Sequence, residues 1–444
     1  MRRRRWTAAL AAALLVVSAG CSAVGFGFGP RDPPPSGDAI GFEDGYWHDD
    51  PLNVTADDGF NETERRAVVA RTMARVEVIR DLEFEERVPV EVVSRQEYQS
   101  DRSPGGTSTS ATYEAWNNQV WEALLLVSED QNVSDAFGTV YGSSVQGFYS
   151  PSKDEIVLVS DSETPTVDTR TLAHELVHAL QDQHYTLSGG ASTQDGQLAE
   201  DGLIEGDANF VEDRYDERCG SGWTCLDEPS SGGSGTPDDF NFGVFLTVFT
   251  PYAEGPDLVD ELVARGGGDW DRVNAAYDAI PQSTEQVIHP EKYPDDEPTN
   301  VSVRDRSSDE WHRFDLDQQT DTVGEASIYA TFWANGQIDR SRTPYNYSHP
   351  LSAGWDGDTL VPYTNGSHGG YVWRVTFDSE GDAREFRQGY VGALRSKDAT
   401  TPQPNVFVVP ESNPYADAFR VTRRDDTVLV VNAPTVDDLS KVHG

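Results

Sequence analysis

The segment Thr171-Leu-Ala-His-Glu-Leu-Val-His-Ala-Leu180 constrains the chain more than any other, because its two histidines face the same way only if it is helical. His174 and His178 stand four apart, and residues at that spacing lie one above the other on one helix face. Two imidazoles so placed can grip one Zn²⁺, while Glu175 beside that face can take a proton from water that the ion activates. Leu172, Leu176 and Leu180 form the opposite stripe, which predicts a helix packed on a core behind and open to a metal in front. A merely solvated or hydrogen-bonded histidine pair leaves unexplained why Glu directly follows the first His on an apolar helix.

That helix sits in an extremely acidic protein. The formal charge is −42, from 76 Asp and Glu against 34 Lys and Arg, and lysine occurs only at positions 153, 292, 397 and 441. Ten tryptophans and 37% hydrophobic residues still permit real cores, so the chain is not a disordered acidic segment. A shell of carboxylates holds water and stays soluble when salt screens other charges, which points to a salt-saturated environment. Nucleic acid is excluded as a partner, since no basic stripe follows residue 5.

The first 21 residues read as an export signal. Arg2 to Arg5 form a positive start, and Trp6 to Ala19 form an apolar run too short to span a bilayer comfortably. Ser18-Ala-Gly-Cys21 resembles a lipobox, with Ser where the motif usually has Leu, and makes Cys21 the candidate lipidation site. The arginine run resembles a twin-arginine signal, and an ordinary Sec signal is the alternative. Either route places the mature protein at the extracellular face of the membrane. Glycosylation sequons at Asn53, Asn61, Asn132, Asn300, Asn346 and Asn365 agree with that location. So do Cys219 and Cys225, which bracket Gly-Ser-Gly-Trp-Thr without further ligands nearby and are expected to close a disulfide loop.

Residues 22–58, rich in Gly, Pro and Asp, are expected to form a flexible tether. A folded domain is expected over 59–295 and a smaller α+β domain over 296–444. Helical spacing starts near Glu62, a strand is predicted at Val88–Val93, and a Trp- and Leu-rich helix at about 113–127. Segments 145–149 and 155–159 flank a Ser-Pro turn and predict a hairpin. Asp168 or Thr169 is placed to cap the histidine helix, and further helices are expected near 197–217, 241–265 and 269–279. In the C-terminal part, a helix near 323–335, strands at 359–363 and 370–378, a helix through 383–394 and a hairpin at 419–431 are predicted.

Catalytic zinc takes three protein ligands and leaves one position open, so a third ligand is required. His184 stands at the metzincin spacing, but that pattern needs a glycine where this chain has Gln181. If the helix continues, His184 lies about 9 Å beyond His178 along the axis, which makes it a supporting residue. Glu205 is favoured instead, because Gly202 and Gly206 would let its helix approach the histidine helix closely. Glu200 and Glu212 are the substitutes. Asn209, one turn on, is suited to bond the far nitrogen of a ligating histidine.

HExxH followed by a helical Glu resembles the gluzincin branch of the zincin metallopeptidases, whose best-known members are thermolysin-like. The run His174-Glu-Leu-Val-His-Ala-Leu-Gln-Asp-Gln-His184, with Ile204-Glu-Gly-Asp-Ala208 and Gln286-Val-Ile-His-Pro-Glu-Lys-Tyr293, also resembles uncharacterised exported lipoproteins of haloarchaea. The resemblance covers about residues 60–295. It implies an α+β fold whose zincin-like domain is mainly helical with a small mixed sheet. It also implies Zn²⁺ on His174, His178 and Glu205, Glu175 as general base, a cleft lined by one of the hairpin strands, and a peptide or protein substrate. His289 and Tyr293 become candidate donors to the developing oxyanion. Asn209 departs from the Asp expected one turn after the ligand. The rival reading is a non-catalytic surface lipoprotein on a zincin scaffold, but a purely structural zinc site has no need of Glu175.

Overall fold

A computed structural model describes residues 32–444 apart from 36–37, 53, 55–58, 102–109, 161–166, 186, 188–189 and 227–238. The expected signal segment with Cys21, and the sequon at Asn53, lie outside the described residues. The structure is mixed α and β, as expected. Among the described residues no helix is long and apolar enough to cross a membrane.

Part of the expected tether is folded. Two short strands, β1 (Phe42–Glu43) and β2 (Tyr46–Trp47), form a hairpin against the first helix, α1 (Glu62–Arg80). Gly41 has φ +86° and a Cβ there would meet Val78 at 2.6 Å, so the chain needs glycine to lie this close. Its N–H donates to the buried Glu77 carboxylate, and His48 offers its carbonyl to Arg75. Helix α1 starts at a capping box, in which Asn61 accepts from the N–H of Thr63 and Glu64 while Glu64 accepts from Asn61. It is buried nearly all round, and its Arg80 meets Asp207 at 2.9 Å with both side chains essentially inaccessible to solvent.

Next come β3 (Val90–Ser94), α2 (Arg95–Asp101), α3 (Ala111–Ala123), α4 (Val133–Ser144), β4 (Gly147–Ser150) and β5 (Glu155–Ser160). The three strands make a sheet of order β3-β5-β4, with β3 parallel and β4 antiparallel to β5. Helix α4 was not anticipated, because its two glycines and scattered apolar residues carry no clear helical stripe. The histidine helix follows as α5 (Thr169–His184), capped by Asp168, which accepts from Arg170 and Thr171 N–H. Then comes α6 (Gln194–Cys219), closed by a disulfide from Cys219 to Cys225 with Cα atoms 5.4 Å apart. Helices α1, α5 and α6 share a core that includes Met73, Val76, Leu172, Leu176, Leu180 and Val211, with Ile156 and Leu158 from the sheet. Each such buried aliphatic side chain contributes on the order of 1.5–3 kcal/mol.

Beyond α6 the chain forms α7 (Phe242–Val248), α8 (Thr250–Arg265), α9 (Asp271–Ala276) and α10 (Thr284–Ile288). The glycines of α6 face this group and not the histidine helix as expected. A Cβ at Gly206 would lie 2.5 Å from the Gly255 carbonyl of α8, and one at Gly202 would strike Val287 at 2.8 Å. The close helix approach they allow is therefore α6 on α8, which turns Glu205 into the space between α5 and α8.

The rest is β6 (His312–Arg313), α11 (Gly324–Ala334), β7 (Trp355–Thr364), β8 (Gly369–Phe377), α12 (Glu380–Ser396), β9 (Thr400–Gln403), β10 (Val406–Val408), β11 (Ala418–Arg424), β12 (Thr427–Ala433) and α13 (Leu439–Val442). Its strands form one antiparallel sheet of order β6-β7-β8-β12-β11-β10-β9. The largest apolar core crosses the expected boundary at 295: Trp116, Val120, Val244 and Leu246 pack in it with Phe332, Trp373, Phe386 and Val430.

Candidate metal centre

Three lone-pair atoms converge between α5 and α6. His174 Nε2 lies 3.2 Å from His178 Nε2 and 3.2 Å from Glu205 Oε2, and His178 Nε2 lies 3.4 Å from the same carboxylate oxygen. Among the described residues these three form the group whose ligand atoms lie close enough together to hold one ion. Bonds of about 2.0–2.1 Å to a tetrahedral zinc place neighbouring ligand atoms roughly 3.3 Å apart, so the donor set fits zinc in both chemistry and spacing.

The helix itself creates this arrangement. Leu172, Leu176 and Leu180 are buried toward the core shared with α1, so His174 and His178 must face α6. Gln181 then connects the two helices: its Oε1 meets His178 Nδ1 at 2.9 Å and its Nε2 donates to the Ile204 carbonyl at 2.9 Å. An Nδ1–H held in that way leaves the Nε2 lone pair of His178 aimed at the cluster. The residue that breaks the metzincin spacing thus orients the His178 ring, and a glycine there could not. His184 stays on the continuing helix, and its Nε2 reaches the Glu83 carbonyl at 2.7 Å, far from any ligand role.

The support expected from Asn209 is not there. Its Nδ2 donates to the Glu205 carbonyl of its own helix at 2.8 Å, because a side chain one turn on points along α6 and not across to α5. The group near the far nitrogen of His174 is Glu212, 3.3 Å from Nδ1 although not aligned as a hydrogen bond, and Arg170 backs that carboxylate at 3.4 Å. Glu200 instead accepts from the Gly190 N–H.

The electrostatics favour positive charge at this point. Burial opposes charging His174, but its contacts with Glu205 and Glu212 prevail and hold the imidazole up at about 10. Burial likewise opposes ionising Glu205, yet the two histidines keep it well below the usual carboxylate range. Glu175 is raised, chiefly by burial, although the histidines and the Tyr149 N–H counter this.

A cavity of about 250 Å³ runs past the cluster, lined by Gly147, Phe148 and Tyr149 of β4 together with His174, Glu175, His178 and Glu205. Of the two hairpin strands it is therefore β4, at the sheet edge, that faces the cleft. A Cβ on Gly147 would come 3.2 Å from Glu175 Oε1, so a bare backbone is what lets the strand pass this close. Tyr252, from the first turn of α8, forms the far wall. Its hydroxyl donates to Glu205 Oε1 at 2.9 Å, and its ring stacks near His174 with centroids 6.5 Å apart. No sequence signal marked Tyr252, because only the α6–α8 contact brings it to the site.

The two residues expected to serve an oxyanion lie elsewhere. His289 pairs with the buried Glu325 at 3.1 Å, and the Tyr293 hydroxyl donates to the Ala279 carbonyl at 2.7 Å. Neither lines the cavities that meet at the cluster. Pro290 begins a single 3-10 turn that directs the segment into the α8–α10 packing. Of the sequons, Asn61, Asn300, Asn346 and Asn365 are exposed, and Asn132 is half-buried as the cap of α4.

Residues 312–443 match a family described as Domain of unknown function (DUF8575), which covers the seven-stranded sheet and none of the cluster. No curated protein and no solved structure matches the chain.

Proposed function

We propose that this chain is a zinc-dependent metallopeptidase of gluzincin type, exported and held at the outer face of the cell membrane by a lipid on Cys21. The observation that carries the reading is the convergence of His174 Nε2, His178 Nε2 and Glu205 Oε2 within 3.2–3.4 Å, beside Glu175 and an edge strand. A zinc ion held by those three atoms would supply Lewis acidity, polarising a peptide carbonyl and lowering the pKa of water.

The chain's own residues would do the rest. An extended peptide pairs with the outer edge of β4, which aligns its backbone along the cavity. Glu175, held by the Tyr149 N–H, accepts a proton from the attacking water and later delivers it to the departing amine nitrogen. Tyr252 places its hydroxyl on Glu205 Oε1, and turning from there it donates to the developing oxyanion.

The test is a metal assay joined to a peptidase assay in high salt. The expected result is one zinc per chain, and Glu175→Gln retaining that zinc while kcat falls by about 10²–10⁴-fold. Zinc-free protein, or equal hydrolysis by both forms, would overturn the reading in favour of a non-catalytic surface lipoprotein.

A further inference from the structure

A second cavity, of about 280 Å³, opens on the other side of Glu205 and Tyr252, which line it as well as the β4 cavity. Its walls are aromatic. Tyr113 and Trp116 of α3, with ring centroids 5.5 Å apart, face it together with Tyr141 of α4. Its polar groups are dominated by the carboxylates of Asp201, Glu205 and Asp321, and no Lys, Arg or His lines it. Asp201 stands one turn before Glu205 on α6, so it faces the cavity directly beside the metal ligand.

Asp201 is exposed, so its carboxylate is open to a ligand that enters the cavity. Asp321 is buried, which pushes its carboxyl up to about 7, while its Oδ1 accepts from the N–H groups of Gln194 and Thr322. Like charges gathered in a concave, partly dehydrated space repel one another, and a cation placed among them removes that cost. The rings of Tyr113, Trp116 and Tyr141 line the same space, and an aromatic face attracts a cation. The volume lies just under the range of about 300–1,000 Å³ typical of drug-sized ligands, which suits a single side chain.

We infer that this cavity is a specificity pocket for a positively charged group of a peptide, the guanidinium of Arg or the ammonium of Lys, beside the bond to be cleaved. A guanidinium fits best, because its plane stacks on aromatic rings while its N–H fork meets a carboxylate. This inference rests on the peptidase reading for its consequence, but not for its chemistry. Both features needed are in the cavity: rings to stack on, and the carboxylates of Asp201 and Asp321 in a lining that holds no Lys, Arg or His.

The experiment uses the full mature chain in high salt with end-blocked fluorogenic peptides that carry Arg, citrulline or norleucine at each position around the cleavage site. A parallel set has a free α-amine and no basic side chain. The expected result is a preference for Arg over citrulline of at least about tenfold at one position, consistent with a cation–π contact plus a charged hydrogen bond. That ratio should fall about tenfold in Asp201→Asn, and also in Tyr113→Leu, whose side chain is 37% exposed. Equal cleavage of Arg and citrulline peptides, an undiminished ratio in both variants, or a preference conferred only by the free α-amine would overturn the inference. If the wild-type chain cleaves nothing, the peptidase reading fails, and tryptophan fluorescence then decides the pocket. Tighter binding of N-acetyl-arginine amide than of its citrulline analogue, lost in Asp201→Asn, supports it, and equal binding sinks it.

Discussion

Two buried histidine–carboxylate contacts in this protein are built from the same residue types and behave in opposite ways. His289 Nε2 meets Glu325 Oε1 at 3.1 Å, and Glu325 is wholly buried with its second oxygen unpartnered among the described residues. His174, His178 and Glu205 meet at similar distances, but there are two imidazoles for one carboxylate and a cavity alongside. In the first contact a single imidazole faces a single carboxylate, and one proton joins one donor to one acceptor. In the second, three ligand atoms converge at the spacing that one divalent cation would need. The difference lies in donor count and access, not in residue identity.

The largest expected effect separates the two contacts outright. His178→Ala should abolish stoichiometric zinc with little loss of fold, whereas Glu325→Ala should retain zinc and lose about 1–3 kcal/mol of stability, because it leaves the half-buried His289 without its partner. Metal analysis and denaturant unfolding of both variants check this, and zinc loss in Glu325→Ala would erase the distinction. Next, Gln181→Ala should weaken zinc binding about 10–100-fold by freeing the His178 ring, as chelator competition would read.

The His289 contact should also carry its own pH signature. Burial lowers its imidazole, but Glu325, with help from Glu291 and Glu285, outweighs burial and raises it above the ordinary value of 6.5. The contact also needs the Glu325 carboxyl ionised, which burial raises, so its stabilisation is present near pH 6.5 and is lost as pH rises through the raised imidazole value. The Tm gap between wild type and His289→Gln should be widest, a few degrees, near pH 6 and shrink toward pH 9. A gap that widens with pH would show that the pair is not an ion pair. The smallest effect is expected from Asn209→Ala, which should change zinc affinity by less than about 0.5 kcal/mol, since Asn209 bonds only its own helix.

Residue spacing made much of the site legible. The histidine helix, its Asp168 cap, the β4–β5 hairpin and the Cys219–Cys225 loop all follow from local rules in a few consecutive residues. Glu205 was singled out on the strength of Gly202 and Gly206, yet those glycines serve the α6–α8 contact. The small residues did mark a close helix approach; a sequence does not say which helix approaches. The same limit explains His289 and Tyr293, whose motif reads like a site and folds as a turn. It explains α4 as well, where packing against α3 and α7 overrides a weak helical pattern.

By itself, then, the sequence determined the chemistry on offer: two imidazoles and a carboxylic acid on one helix face, in a shell of carboxylates, with a disulfide loop. Those features depend on spacing along one helix or on composition, and neither requires knowing what lies opposite. Only the tertiary structure decided the company they keep. Tyr252 and Glu212 beside the cluster, the bond from Gln181 to the Ile204 carbonyl, the approach of edge strand β4, and the aromatic cavity holding Asp201 are all contacts between different elements. Such contacts are set by which apolar faces must be buried together, and no local pattern specifies that.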